Sequence, residues 1–173
     1  AQTLGTCTCS SYRAPFLKVM TSMALRDDME SGESYFIVEI KSLKRILDES
    51  KKPEPLLCII DEVLRGTNTI ERIAASSRIL AALHQNWVLS FAATHDIELS
   101  YILDSLYDNY HFEEEVKEKE VVFSYILKKG RATSRNAIRL LDMLEYDLGI
   151  VEGAAKAARD FEEKGVWESL KPV

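Results

Sequence analysis

The chain has 173 residues, of which 46% are hydrophobic, and its 22 Lys and Arg against 28 Asp and Glu give a formal net charge of −6. This length and hydrophobic content predict a medium-sized globular domain with a substantial core. The acidic balance argues against this segment as the main contact to nucleic acid, because phosphate contacts require Lys and Arg. The sequence has no run of about 18 apolar residues, so it predicts no membrane contact.

The three cysteines predict no metal site. Cys7 and Cys9 lie too close together for a usual zinc knuckle, and no further Cys or His pair completes four ligands. Cys58 lies inside an apolar run and is predicted to be a core thiol. We expect all three to be reduced, which suits a cytoplasmic protein.

The first elements are a strand, a loop and a long helix. The apolar residues 16–23 predict the strand, and the polar residues 26–34 predict the loop. Residues 35–50 carry apolar side chains at helical spacing, with Ser34 as the expected N-cap. The face of this helix that we expect to be buried consists of Phe36, Ile37, Ile40, Leu43, Ile46 and Leu47.

Two strands and two helices follow. Residues 56–60 and 88–93 are unbroken apolar runs, which is typical of parallel strands buried on both faces. The segment between them predicts a helix over 70–81, because Asn68 and Glu71 have the spacing of a capping box. A short helix is predicted at 97–103. This alternation of strand and helix favours an α/β fold.

The last third of the chain predicts a β-hairpin and two helices. Residues 107–112 and 121–127 are rich in β-forming residues and flank the charged stretch 113–120, which we expect to be the connection. Helical patterns follow at 134–146, with Ser134 as the cap, and at 150–163.

Polar side chains follow both buried strands. Asp61 and Glu62 come after the first, and His95 follows the second. Ligands of open α/β sheets bind beyond the carboxyl ends of the strands, so we expect these three side chains at one edge. A carboxylate there can hold Mg²⁺, a second can polarise a water, and a His can orient that water or contact a phosphate. The alternative is acidic loop residues and a structural His.

Two further segments carry weaker signals. Ser31, Gly32 and Ser34 precede the long helix, and a helix N-terminus with free N–H groups and a hydroxyl is suited to an anion; simple capping is the alternative. Residues 128–139 contain five Lys and Arg and no acid. They predict a contact to phosphates or to an acidic partner, or otherwise a solvated face.

These segments occur in the order of the motifs of the MutS family. Residues 57–62 and 65–69 resemble its Walker B strand and D-loop, in which apolar residues are followed by Asp-Glu and a Gly-Thr turn. Residues 31–36 with Glu39 resemble its form of the ABC signature, and residues 93–96 resemble its H-loop. The resemblance covers about residues 1–150, and some segments, such as 109–112, are closer to a compact MutS-like branch than to the mismatch-repair enzyme itself.

The resemblance implies an α/β, P-loop NTPase-like sheet of the ABC ATPase type, flanked by helices, with ATP and Mg²⁺ as cofactors. Asp61 would hold Mg²⁺ through water, Glu62 would be the general base and His95 would sense the γ-phosphate. The remaining residues would act at a homodimer interface, where the signature reaches ATP bound by the other subunit and the D-loop lines the contact: Ser31, Gly32, Ser34, Thr67 and Asn68.

One departure from the family concerns the phosphate-binding loop. The pattern Gly-x-x-x-x-Gly-Lys-Ser/Thr is not present in the 173 residues, and the chain starts without Met or a signal-peptide pattern. We therefore interpret the chain as part of a longer protein, with an incomplete ATPase domain at 1–146 and a helical tail at 147–173. We expect the fragment alone to be inactive and the parent to bind DNA through its N-terminal regions.

Three functions remain open from the sequence. The first is an ATPase that couples ATP-driven dimerisation to DNA handling in mismatch repair or recombination. The second is a MutS-like ATPase or non-catalytic dimerisation module that works in another process. The third is another ABC ATPase, such as an SMC-type protein, in which the signature is richer in glycine than residues 31–34.

Overall fold

The computed structural model describes residues 10–23, 34–117, 120–132 and 136–170. The chain divides into two compact units, residues 1–108 and 109–173. Within the described ranges, no helix combines the length and apolar character that crossing a membrane requires.

Within its described residues, the first unit consists of a three-stranded parallel sheet and three helices, which confirms the predicted α/β class. The strands lie in the order β1-β2-β3, and residues 56–60 form the central strand, as predicted. Strand β3 and the first helix have the predicted bounds, and the other elements differ from prediction by one or two residues at an end. The elements are β1 Lys18–Ser22, α1 Tyr35–Ser50, β2 Leu56–Asp61, α2 Thr69–Ala82, β3 Val88–Ala93 and α3 Ile97–Ile102.

The core of this unit lies on one face of the sheet. Leu43 and Ile46 of α1 and Leu80 of α2 pack in one cluster with Cys58 and Ile60, alternate residues of β2. Burial raises the pKa of the Cys58 thiol to about 11, so the thiol stays protonated and the prediction of a core cysteine is confirmed. The other two cysteines lie outside the described residues.

The opposite face of the sheet is largely exposed in the described part of the chain. Leu89 and Phe91 of β3 are 51% and 59% exposed, and Val19 of β1 lies in register with Leu57 and Leu89 on this face. The prediction that β3 is buried on both faces is therefore wrong, and β2 is only half-buried on this side. The physical reason is that α1 and α2 pack against the alternate residues of the strands.

The buried stripe of α1 differs from the predicted one. Ile37 and Ile40 are each 40% exposed, whereas Glu39 and Ser42 are buried. The spacing of 36, 39, 43 and 46 is still that of one helical face, so the helix turns a carboxylate and a hydroxyl inward in place of two isoleucines. The prediction is confirmed for Phe36, Leu43, Ile46 and Leu47, which lie in or against the core, and is wrong for the two isoleucines.

The second unit contains a β-hairpin and two helices. Strands β5 and β6 pair antiparallel, and the two-residue strands β4 and β7 form an outer ladder. The prediction that the charged stretch 113–120 is only a connection is wrong in part, since β5 lies within it. A two-stranded ladder needs backbone pairing, which charged residues also provide. The elements are β4 Tyr110–His111, β5 Glu114–Lys117, β6 Glu120–Phe123, β7 Lys128–Lys129, α4 Ala137–Met143 and α5 Leu148–Lys164.

The helices of this unit begin at other residues than predicted. Helix α4 starts at Ala137 with Asn136 as its N-cap, whereas the predicted cap, Ser134, lies outside the described residues. Helix α5 starts two residues earlier than predicted, because the Asp147 side chain accepts a hydrogen bond from the Gly149 N–H at 2.8 Å. It ends at Gly165, whose φ of 71° suits a left-handed C-cap.

The two faces of the sheet predict different responses to mutation. Ile60 is 1% exposed, so Ile60→Ala should lower the free energy of unfolding by about 2–5 kcal/mol, through lost burial and a residual cavity. Phe91→Thr on the open face keeps the β-propensity and should cost about 1 kcal/mol or less. Urea unfolding followed by circular dichroism measures both. Equal losses would contradict the one-sided core.

Candidate functional site

The carboxyl ends of β2 and β3 bring three predicted residues together. Asp61 lies in register with Ala93, and the Glu62 N–H donates to the Ala93 carbonyl at 3.0 Å. His95 follows two residues later, and its Nε2 lies 3.1 Å from Glu62 Oε1. The parallel pairing thus places the acidic pair and the histidine at one edge of the sheet.

Asp61 and Glu62 differ in their surroundings. Asp61 is exposed, and its carboxylate makes no ion pair or hydrogen bond with any described residue. The Glu62 carboxylate is largely buried, with Oε1 facing His95 and Oε2 paired with the Arg65 guanidinium. Asp61 is therefore the carboxylate that is open to a cation, whereas Glu62 is held between two cationic or polar groups.

The donor set suits Mg²⁺ better than a metal with several protein ligands. No group of three or more His, Cys, Asp and Glu is arranged to hold a metal within the described residues. Mg²⁺ is usually bound by one or two carboxylates, with waters and substrate phosphates completing its shell. Asp61, with Glu62 beside it, meets that requirement, so these residues fit the ion.

The turn after β2 has a strained backbone. Glu62 and Leu64 have φ values of 53° and 59°, in the left-handed region that non-glycine residues seldom adopt. Buried contacts hold the turn: the Leu64 N–H donates to Glu39 Oε1 at 2.6 Å, and the Ser76 hydroxyl donates to the Val63 carbonyl at 3.2 Å. Such strain persists only where the surroundings impose it.

Thr67 and Asn68 begin α2. The Asn68 side chain accepts a hydrogen bond from the Ile70 N–H at 2.9 Å, so Asn68 is the N-cap, as predicted. Glu71 contacts the Thr67 hydroxyl at 3.4 Å, which differs from the reciprocal bond of a capping box. Both candidate interface residues thus have local partners in this chain.

The signature segment is described only from Ser34 onward, and Ser31 and Gly32 lie outside the described residues. Ser34 is the N-cap of α1, but its side chain makes no capping hydrogen bond, contrary to prediction. Its carbonyl accepts the Ile37 and Val38 N–H groups. The hydroxyl is thus not used to cap the helix.

Gly66 ties the turn after β2 to the start of α1. A Cβ at this position would lie 3.2 Å from Phe36 Cβ, which is closer than ordinary van der Waals contact. A side chain at this position would therefore need a small shift of Phe36 in the first turn of α1.

An ion pair that the sequence did not reveal holds the His95 loop. Arg72 of α2 donates to both oxygens of Asp96, at 2.7 and 2.5 Å, and the hydrogen bond raises the pKa of Arg72. The Asp96 N–H also donates to the Thr94 hydroxyl oxygen at 3.0 Å. Asp96 belongs to the motif at residues 93–96, but its partner Arg72 is 24 residues away, so only the fold identifies the pair.

The basic stretch at residues 128–139 does not form one continuous element. Lys128 lies in β7 and pairs with Glu113, which also contacts His111 Nε2 at 2.9 Å. Hydrogen bonding to Glu113 raises the pKa of His111, and hydrogen bonds from Lys128 and His111 lower that of Glu113. Arg139 lies separately in α4. Lys128 therefore has a role in joining the outer ladder of the second unit.

The buried Glu39 predicts a specific pH dependence of stability. Burial raises the pKa of its carboxyl above the ordinary 4.5, against backbone N–H hydrogen bonds from Leu64 and Arg65, which lower it. The folded state then binds more protons than the unfolded state between the two pKa values, so the stability contributed by Glu39 falls as pH rises through that window. Glu39→Gln does not titrate.

We therefore expect the free energy of unfolding of Glu39→Gln, relative to wild type, to rise from about pH 4 and level off above the folded pKa. Urea unfolding at a series of pH values measures the difference. Glu54→Gln, at an exposed position, is the control. Parallel pH curves for wild type and Glu39→Gln would rule out the raised pKa.

Comparison with known proteins agrees with the motif order. A family model described as MutS domain V matches residues 7–162. The DNA mismatch repair protein MutS of Aquifex pyrophilus is 32% identical over 165 residues, which make up 92% of this chain and 19% of that protein. The proteins of the same name from Oceanobacillus iheyensis and Thermus thermophilus are each 28% identical, covering 86% and 79% of this chain.

These alignments also give the extent of the chain within its relatives. It spans 17% of the Oceanobacillus iheyensis protein and 16% of the Thermus thermophilus protein. The family model covers nearly the whole of the first unit and most of the second. An SMC-type protein is set aside by this match, and the chain belongs to the MutS family.

Proposed function

We propose that the chain is the part of a P-loop NTPase-like, ABC-type ATPase domain that supplies the hydrolytic residues of a MutS-like DNA repair or recombination protein. The observation that carries the proposal is the edge where Asp61, Glu62 and His95 meet, with Asp61 open to a cation and Glu62 in contact with His95. Substrate and ion would be ATP and Mg²⁺. The family match supports the proposal at the level of the repair protein.

Each residue of the edge has a role that its surroundings suit. Asp61 would bind Mg²⁺ through water, because its carboxylate has no competing partner among the described residues. Glu62 would accept a proton from the attacking water, and His95 would contact the γ-phosphate from its exposed position. The bound ion would supply charge neutralisation at the phosphates.

An attacking water has to approach one of the two Glu62 carboxylate oxygens, each of which already has one contact. Oε2 pairs with Arg65, whose side chain is about half exposed, and Oε1 contacts His95. The Arg65 side chain is more exposed than that of Glu62, so a water can reach Oε2 by displacing the Arg65 guanidinium. The oxygen that faces Arg65 is therefore the one that we assign to the attacking water.

The remaining candidates would act between two subunits. Ser34, with Ser31 and Gly32, would reach ATP held by the partner of a homodimer, and Thr67 and Asn68 would lie at that contact. The Ser34 hydroxyl makes no capping bond, which leaves it available to an anion. Thr67 and Asn68 would have to combine this role with the start of α2.

The proposal extends to the rest of the parent protein. The phosphate-binding pattern is not in these 173 residues, so we expect the chain alone to be inactive. The ATPase segment would be residues 1–146, with 147–173 as a helical tail, in a cytoplasmic protein that contacts DNA through regions outside this chain. The sequence of residues such as 109–112 favours a compact MutS-like branch.

Glu62→Gln in the full-length parent tests the general base. The amide keeps the size of the side chain and cannot accept the proton, so turnover should fall by about 10²–10⁴-fold while ATP affinity changes little. Steady-state ATP hydrolysis and equilibrium binding of Mg-ATP are the measurements. Glu54→Gln at an exposed position is the matched control. Turnover of Glu62→Gln within a few-fold of wild type would exclude Glu62 as the base.

A mixture of two inactive full-length variants tests the shared site. Glu62→Gln and Ser34→Ala should each abolish hydrolysis, and a mixed dimer should regain part of it, because both defects then fall in one site and the other site is intact. The missing cap bond means that Ser34→Ala should cost little stability, below the loss of about 1 kcal/mol for a true cap. Absence of recovery where mixed dimers are shown to form would argue that Ser34 acts within its own chain.

A further inference from the structure

We propose that Glu39 is a positioning residue: its buried carboxylate holds the turn after β2 in the left-handed conformation that directs Glu62 towards His95. The consequence for hydrolysis rests on the function proposed above, whereas the structural part can be tested on the chain itself. Glu39 lies on α1, 25 residues from the backbone group it binds.

The turn needs an external support. Glu62 and Leu64 have positive φ values although neither is glycine, and each such residue costs on the order of 1–3 kcal/mol when left-handed. The conformation of Glu62 matters most, because it sets the direction of the carboxylate that meets His95 at 3.1 Å. If the turn relaxed to ordinary backbone angles, that side chain would leave the edge of the sheet.

Glu39 is the carboxyl group that reaches this turn from within the core. It is 1% exposed, and its Oε1 accepts the Leu64 N–H at 2.6 Å, which is short for a hydrogen bond to nitrogen. Two further hydrogen bonds support the turn, one from the Glu62 N–H to the Ala93 carbonyl and one from the Ser76 hydroxyl to the Val63 carbonyl.

The second carboxylate oxygen of Glu39 indicates that the contact to the turn, and not packing, explains a carboxylate at this position. Oε2 is buried without a hydrogen-bond partner in the described part of the chain. An unsatisfied buried oxygen destabilises a fold, so packing alone would favour an apolar side chain at this position. The contact to the turn is what an apolar side chain could not provide.

The position of Glu39 also joins two candidate segments. Ser34 begins the same helix, and Phe36 in its first turn is the side chain against which Gly66 packs. The start of α1 and the turn that carries Glu62 are thus linked by backbone hydrogen bonds to Glu39 and by the packing of Gly66 against Phe36. A displacement of α1 would act on Glu62 through Glu39.

Three variants separate this role from ordinary packing. Glu39→Gln keeps an oxygen acceptor for the Leu64 N–H, whereas Glu39→Met has similar volume and no acceptor of comparable strength. Ser42→Ala is the matched control, since Ser42 is buried on the same face of α1 and its hydroxyl also has no partner among the described residues.

Amide hydrogen exchange of Leu64 in the chain itself is the first measurement. We expect exchange at least about tenfold faster in Glu39→Met than in wild type, and within about threefold of wild type in Glu39→Gln and Ser42→Ala. If Glu39→Met does not fold, Glu39→Asp replaces it, because the shorter side chain keeps the charge but not the reach. If the Leu64 amide exchanges at the wild-type rate in whichever of Glu39→Met and Glu39→Asp is folded and used, the proposal is overturned.

Hydrolysis in the full-length parent is the second measurement. Glu39→Met should lower kcat for ATP hydrolysis at least about tenfold, with KM for ATP within about threefold of wild type. Glu39→Gln should keep most of the wild-type kcat. In the double variant, Glu39→Met should cause no further loss of kcat beyond that of Glu62→Gln. Additive losses would overturn positioning through Glu62. If Glu62→Gln itself leaves hydrolysis intact, the proposed function fails, and the exchange of Leu64 still decides whether Glu39 holds the turn.

Discussion

The parallel register between β2 and β3 determines where the candidate residues lie. It sets Asp61 opposite Ala93, so that the residue after each strand emerges at the same edge. The register depends in turn on the burial of alternate β2 residues, since a shift by one residue would turn Cys58 and Ile60 away from the core. The chemistry at the edge and the packing beneath it therefore have the same origin.

The strained backbone of the turn after β2 sets the direction of the Glu62 side chain. Two of its residues, Glu62 and Leu64, are left-handed, and contacts from β3, α1 and α2 maintain this conformation. Glu62 emerges from it between Arg65 and His95. A carboxylate held this way has little freedom of its own, which is a requirement for pre-organised proton transfer.

The sequence predicts the elements of the first unit better than their faces. Residues 56–60 and 88–93 are apolar runs bounded by polar residues, so their bounds follow from composition. Which face is covered depends on where the helices pack, so the exposure of Phe91 and the burial of Glu39 could not be predicted from hydrophobicity. In the second unit the backbone pairing of a charged strand gave no apolar signal.

In the candidate site, too, the positions of residues can be predicted from the sequence, but their contacts cannot. Asp61, Glu62 and His95 are predictable because parallel strands end at one edge, a rule that needs no side-chain detail. The partners of these residues are not predictable in this way. Arg72 meets Asp96, and Glu39 meets Leu64, across separations of more than twenty residues, and only the packing of α1 and α2 brings them together.

The Arg72–Asp96 pair fixes the backbone next to His95 and leaves the imidazole ring exposed. The residue after His95 is clamped to α2 by two hydrogen bonds, while the ring is 94% exposed and makes one polar contact within the described part of the chain. A ligand that engages the ring has to restrict only its rotamers, at a cost of about 0.5–1.5 kcal/mol, and need not order a loop. Because exposed side chains change rotamer in picoseconds to nanoseconds, His95 can respond to an arriving ligand faster than any movement of the backbone around it.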